Sequence, residues 1–300
     1  GDCSAAAALA DELLGSDDAT ERAVAVRVAA GVAAHDGNLA QAAELFTWLG
    51  PNPDATVSAA AAVVLTGTGD AVAARAALSA ANGGPPTAAA RAARSLADGL
   101  LLTVEAPYPG AATKLGQAIA VDYPAGQVLP DSAPALITLV ALHGGDPVRA
   151  RSVIGRAVRT GGDALFDQRH RLLLAWVKMQ DGHLSAAAAD VVGLDRLHRR
   201  DALWAAALRT AIARRGGDPG AAQEHWYAAM DVLAEYSVDL FALLPLGELW
   251  MAAARMRQQD RLAPALEQAF AVLGALGRPP PWTPPPHRPA PHARPPATAP

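Results

Sequence analysis

Apolar positions along this chain recur at helical spacing, within a unit that itself recurs. Six places carry a two-residue turn followed four positions later by alanine: Gly37-Asn38 to Ala42, Gly69-Asp70 to Ala74, Pro107-Tyr108 to Ala112, Gly145-Asp146 to Ala150, Gly182-His183 to Ala187, and Gly217-Asp218 to Ala222. Four residues beyond each alanine stand Phe46, Leu78, Gly116, Ile154, Val191 and Trp226, large and apolar in five of the six. Positions four apart share one face of a helix. A small residue there lets a neighbouring helix come close, and the large one fills the groove beside it. Gly at the turn takes the left-handed conformation that ends one helix, and Asp or Asn caps the next. Each unit therefore predicts two helices joined by a tight turn.

The second turn residues are spaced by 32, 38, 38, 37 and 35, a period that marks a stacked repeat array. The pattern Gly-Asp-x-x-x-Ala-x-x-x-(large apolar) resembles the turn and second helix of tetratricopeptide repeats. Leu174-Ala175 matches the apolar-small pair of that family's first helix, while the aromatics that usually follow are mostly missing. The resemblance implies an all-α, tetratricopeptide-like α-solenoid of about seven helical hairpins forming a right-handed superhelix over residues 1–277. A leading helix is expected near Ser4 to Leu14, and a diverged seventh hairpin turning near Gln259-Asp260. Pro51, Pro53, Pro85, Pro86, Pro130 and Pro134 fall between hairpins, where proline ends one helix or opens the next. Residues 278–300 are too rich in proline for packed structure and read as an extended linker or tail.

Composition narrows the classes of function. Half of the residues are apolar, mostly Ala, with few aromatics, which favours closely packed helices over sheet. A net charge of -4 spread along the chain gives no footprint for a phosphate backbone, so direct binding of nucleic acid is not expected. Lys114 and Lys178 are the only lysines, an arginine bias that reads as high-GC bacterial coding. Cys3 is the only cysteine, leaving neither an internal disulfide nor a cysteine zinc site, and the cytosol fits best. The chain opens at Gly1 without Met, consistent with a piece of something larger.

No P-loop, His-Glu-x-x-His helix or Gly-x-Ser-x-Gly elbow occurs, and the eight histidines are scattered; neither an enzyme nor a cofactor or metal is expected. Bulky and charged groups gather instead between Phe166 and Trp250. Phe166, Asp167, Gln168, Arg169 and His170 form one stretch; Arg199, Arg200, Asp201 and Trp204 a second; Tyr236, Asp239 and Phe241 a third. These stretches stand one repeat apart, each opening the first helix of its hairpin, so stacking should bring them to one rim of the inner surface. Trp176 and Trp204 are candidate stacking faces, and Asp167, His170, Arg171, Arg200, Asp201 and Glu248 candidate polar contacts. Rings on apolar sugar faces, with carboxylates and guanidinium groups on hydroxyls, suit a polyhydroxylated ligand. The competing reading makes the tryptophans interhelical filler; Trp226, at a large-apolar repeat position, and Trp48, closing the first hairpin, are read as structural.

A long array of this kind with a proline-rich exit also resembles the sensor region of STAND-class bacterial regulators related to the maltose activator. That resemblance implies a small-molecule inducer such as a disaccharide or oligosaccharide, with an NTPase domain upstream and a LuxR-type helix-turn-helix downstream. The alternative is a protein-interaction scaffold whose concave groove holds a partner peptide.

Overall fold

Alanine and leucine lose little on entering a helix, and the segments between the turns are built mainly from them. The computed structural model describes residues 3–81, 87–105, 108–119, 129–161, 164–194 and 196–277. Among these there is no strand. The helices are α1 (Cys3–Leu14), α2 (Ala19–His35), α3 (Leu39–Leu49), α4 (Ala55–Thr68), α5 (Ala71–Ala80), α6 (Ala88–Glu105), α7 (Tyr108–Ile119) and α8 (Ala133–His143). They continue with α9 (Pro147–Thr160), α10 (Asp167–Gln180), α11 (Leu184–Val191), α12 (Arg199–Gly216), α13 (Pro219–Leu233), a 3-10 turn η1 (Leu240–Ala242), α14 (Leu243–Met256) and α15 (Gln259–Ala275). None is long and apolar enough to cross a membrane.

One local device makes the tight turns. The amide of Asp70 donates to Leu65 O at 2.8 Å, closing the end of α4, while its carboxylate caps α5 by accepting from the Ala73 amide. Asn38, Asp146 and Asp218 do the same double work, their amides reaching Ala33 O, Ala141 O and Ala213 O and their side chains capping the next helix. The residue before each is a glycine at positive φ, as the left-handed C-terminal cap requires. The His183 and Gln258 amides close α10 and α14 likewise, on Lys178 O and Ala253 O, with no side-chain cap on the helix that follows.

Two sequence registers need correction. The last turn is at Arg257-Gln258, not Gln259-Asp260; no glycine marks it, because Arg257 itself adopts the left-handed conformation at φ 57°. In α7 the buried pair is Ala111 and Leu115, one residue before the expected Ala112 and Gly116. That shift restores the large apolar residue that the third repeat seemed to lack. Pro85, Pro86, Pro107, Tyr123 and the tail 278–300 lie outside the described residues.

Ala42, Ala74, Ala150, Ala187 and Ala222 are buried, as are Phe46, Leu78, Ile154, Val191 and Trp226 four residues on. Consecutive helices pack along the chain: α2 on α3, α4 on α5, α6 on α7, α8 on α9, α10 on α11, α12 on α13 and α14 on α15. The first helix of each pair also touches the first helix of the next, an arrangement consistent with an α-solenoid. Trp48, expected to be structural, is instead 62% exposed at the end of α3.

The array also meets itself. The α2–α3 turn lies against the start of α12 and the segment before α14: the Ser237 amide donates to Gly37 O at 3.0 Å, and Gly37 sits under the Tyr236 ring. Gly67 in α4 sits under Phe241, and Gly69 rests on the Val272 backbone of α15. Early and late pairs thus share a seam.

Candidate functional site

The helix starts of α8, α10 and α12 converge on the end of α2, and four charged side chains there close a ring. Arg169 donates to Asp131 Oδ2 through Nε and Nη2, at 3.2 and 3.0 Å, and through Nη1 to Asp201 Oδ1 at 3.1 Å. Arg200 donates through Nε to the same Asp201 oxygen at 3.2 Å, and its Nη1 stands 3.7 Å from Asp131 Oδ2. Two guanidinium groups thus alternate with two carboxylates, all four side chains buried. Burial alone would raise the Asp131 carboxyl, but Arg169 and then Arg200 outweigh it and hold its pKa below the ordinary value. Burial would lower Arg200, and Asp131 and Asp201 outweigh that too, raising it.

Neutral groups complete the shell. His35 Nε2 lies 2.9 Å from Leu129 O, and Nδ1 lies 3.4 Å from Arg200 Nη2. A carbonyl can only accept, so the proton sits on Nε2 and Nδ1 is left to face the guanidinium. Burial, then Arg200, pushes the His35 pKa down to about 3, which keeps the ring neutral. Ser132 Oγ caps α8 at the Ala135 amide and stands 2.7 Å from His170 Nε2. That pair has the spacing of a nucleophile and its base, but both residues are buried, and capping already accounts for the serine.

Asp239 is the carboxylate outside the ring. Its Oδ2 accepts from Tyr236 at 3.1 Å, and its Oδ1 accepts from the Phe241 and Ala242 amides at 2.8 and 3.0 Å, capping η1. With both arginines engaged by the ring carboxylates, burial dominates and pushes its pKa up to about 6. Burial, then Asp239, also raises the Tyr236 phenol. A cavity of about 10 Å³, room for about one water, lies among Asp131, Arg200 and Asp239 on one side and Ala34, Leu39 and Val63 on the other.

Of the residues singled out from sequence, the structure brings together His170, Arg200 and Asp201. Asp167 is half-buried in the first turn of α10, where its charge suits the helix N-terminus, and Arg171 faces solvent. Glu248 is paired with Arg214 and Arg215 at the far end of α12, about 20 Å from Arg200 at 1.5 Å per residue. Trp176 and Trp204 are fully buried and pack edge to face, with ring centroids 4.7 Å apart. Arg169 lies over the Trp204 ring at 5.0 Å, and with both tryptophans fully buried neither offers a stacking face to a ligand. Sequence reasoning passed over Asp131, Ser132 and His35. Asp131-Ser132 before Ala133 is a helix-start signal that could have been aligned with the later helix starts, but nothing local marks His35. Among the described residues, no three His, Cys, Asp or Glu side chains are grouped to hold a metal ion.

No protein-family model, curated protein or solved structure matches this chain.

Proposed function

We propose that this chain is the ligand-sensing repeat region of a larger bacterial transcriptional regulator, binding a small inducer at the seam beside the ion ring. The observation that carries the reading is the seam cavity: Asp131, Arg200 and Asp239 meet there on a largely apolar wall. Directed polar groups on an apolar wall are what a small polar ligand such as a disaccharide needs. Sites for such ligands have volumes of roughly 300–1,000 Å³. The cavity is water-sized, so a sugar enters only when the seam parts, and binding then favours the parted state.

The tetratricopeptide-like reading of the hairpins is supported by the way each first helix packs on its own partner and on the next first helix. The STAND-type setting, with a flanking NTPase and helix-turn-helix, rests on the architectural resemblance. Exposed Trp48 is the feature that favours the second reading, a scaffold for a partner peptide.

A thermal-shift screen of mono- to trisaccharides and acidic peptides, followed by calorimetry, tests both. Expected is a sugar whose affinity falls about tenfold or more in Asp239→Asn and Arg200→Lys, corresponding to about 1.4 kcal/mol or more, and is unchanged in the exposed control Arg75→Ala. A sugar that binds all three variants like the parent chain places the site elsewhere. An acidic peptide that binds and is lost in Trp48→Ala replaces the sensor with the scaffold.

A further inference from the structure

We propose that the seam between α2–α4 and α12–α15 is a gate that parts as a unit while both sides stay folded, exposing the polar groups around Asp239 and Arg200. This rests on the sensing reading only for the purpose of the opening. Three independent features of the seam point the same way.

First, the rim is polar and partly exposed. His198 Nδ1 stands 3.4 Å from Asp36 Oδ1, and Arg199 Nη1 donates to Asp36 O at 3.2 Å, with all three side chains at least a third exposed. Contacts of this kind exchange readily for water.

Second, the apolar part of the seam is closed against glycines, which send no side chain across it. Three glycines of the early pairs meet the late ones face on: a β-carbon at Gly37 would stand 2.4 Å from Tyr236 Cδ2, one at Gly67 2.6 Å from Phe241 Cε2, and one at Gly69 2.9 Å from Val272 O. Gly37 and Gly69 have positive φ and serve their turns. Gly67 lies inside α4, so its place is explained by the close approach of Phe241 and Leu39. At these three positions no early side chain has to change rotamer for the two sides to separate.

Third, the seam crosses the cavity. Ala34, Leu39 and Val63 come from its early side, and Pro130, Asp131, Arg200, Asp239 and Phe241 from the other. The Asp131–Arg169–Asp201–Arg200 ring joins only the segment before α8 with α10 and α12, so it stays intact when the early pairs move away. His35 is the side chain that must leave it, giving up the Leu129 carbonyl and Arg200. The gate therefore has a fixed floor and a moving wall.

Amide hydrogen exchange on the full chain tests this. The Ser237 amide, bonded to Gly37 O, reports the seam, and amides in the middle of α12 such as that of Leu208 report the folded floor. In the parent chain Ser237 should exchange at least tenfold faster than Leu208. Gly67→Ala, which wedges Phe241 away, and the milder rim variant His198→Ala/Arg199→Ala should each accelerate Ser237 about tenfold and Leu208 less than twofold. Equal rates for the two amides, or variants that accelerate both alike, would show that the seam opens only with global unfolding and overturn the gate. Calorimetry with maltose as the probe separates this from the sensing reading. Tighter binding to the rim variant than to the parent chain links opening to the ligand; absence of maltose binding to either rules out maltose as that ligand, and the exchange result alone decides the gate.

Discussion

Gly67 lies close against the ring of Phe241, and a β-carbon there would stand 2.6 Å from Cε2. Helical glycine gives up roughly 0.5–1 kcal/mol relative to alanine, and α4 needs no left-handed residue at this point. What the glycine permits is an approach between two helical pairs far apart in the chain. That approach makes the seam, and the seam places a buried carboxylate, Asp239, beside a neutral ring of ion pairs.

Because the ring is internally balanced, breaking it from one side should cost more than dissolving it. Arg169→Ala leaves Asp131 and Asp201 with less compensation and should lose about 3–5 kcal/mol by chemical denaturation. Replacing all four together, Arg169→Met, Arg200→Met, Asp131→Asn and Asp201→Asn, leaves no buried charge in the ring and should lose clearly less than the sum of the single changes. Strict additivity would show that the four groups are not coupled.

Asp239 gives the folded chain a pH dependence of known sign. Its pKa rises from 3.8 unfolded to about 6 folded, so the folded state holds the extra proton between these values. The contribution is complete below about pH 4 and is lost as pH rises through about 6. Asp239→Asn keeps the acceptor for the Phe241 and Ala242 amides without the charge. It should be about 1–3 kcal/mol more stable than the parent chain at pH 8 and near parity at pH 4. A stability difference that does not change between these pH values would contradict the assignment.

His35 acts in the opposite sense. Its pKa falls from 6.5 unfolded to about 3 folded, so its contribution is present above about pH 6.5 and lost as pH falls toward 3. Protonation would turn Nδ1 into a donor facing the Arg200 guanidinium. Because Asp239 acts the other way over the same range, the comparison is with His35→Gln: from pH 7 to pH 5 the parent chain should lose about 2 kcal/mol relative to that variant. Equal acid sensitivity in both chains would place the sensor on another group.

Arg257 occupies the position that Gly37, Gly69, Gly145, Gly182 and Gly217 fill at the other hairpin turns, and its side chain is exposed. Arg257→Gly should therefore raise stability by about 1 kcal/mol, visible as a higher melting temperature. A fall would mean that the arginine side chain contributes more than its backbone strain costs.

Ala150 is fully buried where α9 packs on its neighbours. Ala150→Leu should overpack that contact and lose about 1–3 kcal/mol in denaturant titration. Parent-like stability would show that the small residue is not needed there.

Local chemistry determined the helices and most of their ends. Gly-Asp and Gly-Asn turns act within six residues, where one amide closes a helix and one side chain opens the next, so Gly69-Asp70 or Gly217-Asp218 could be read directly. Arg257 escaped because its backbone is left-handed without the residue type that advertises it. His170, Arg200 and Asp201 could be grouped because stacking turns one repeat of sequence into one step in space. Asp131 and His35 could not, since their partners are set by which helix starts face the end of α2. Trp176 and Trp204 carry the same letters whether they line a pocket or fill a core; only the packing of α10 on α12 decided for the core. The closure of the array is likewise tertiary: a hydrogen bond from Ser237 to Gly37 joins residues that no helical period connects, and it forms where glycines without a side chain let distant pairs come close.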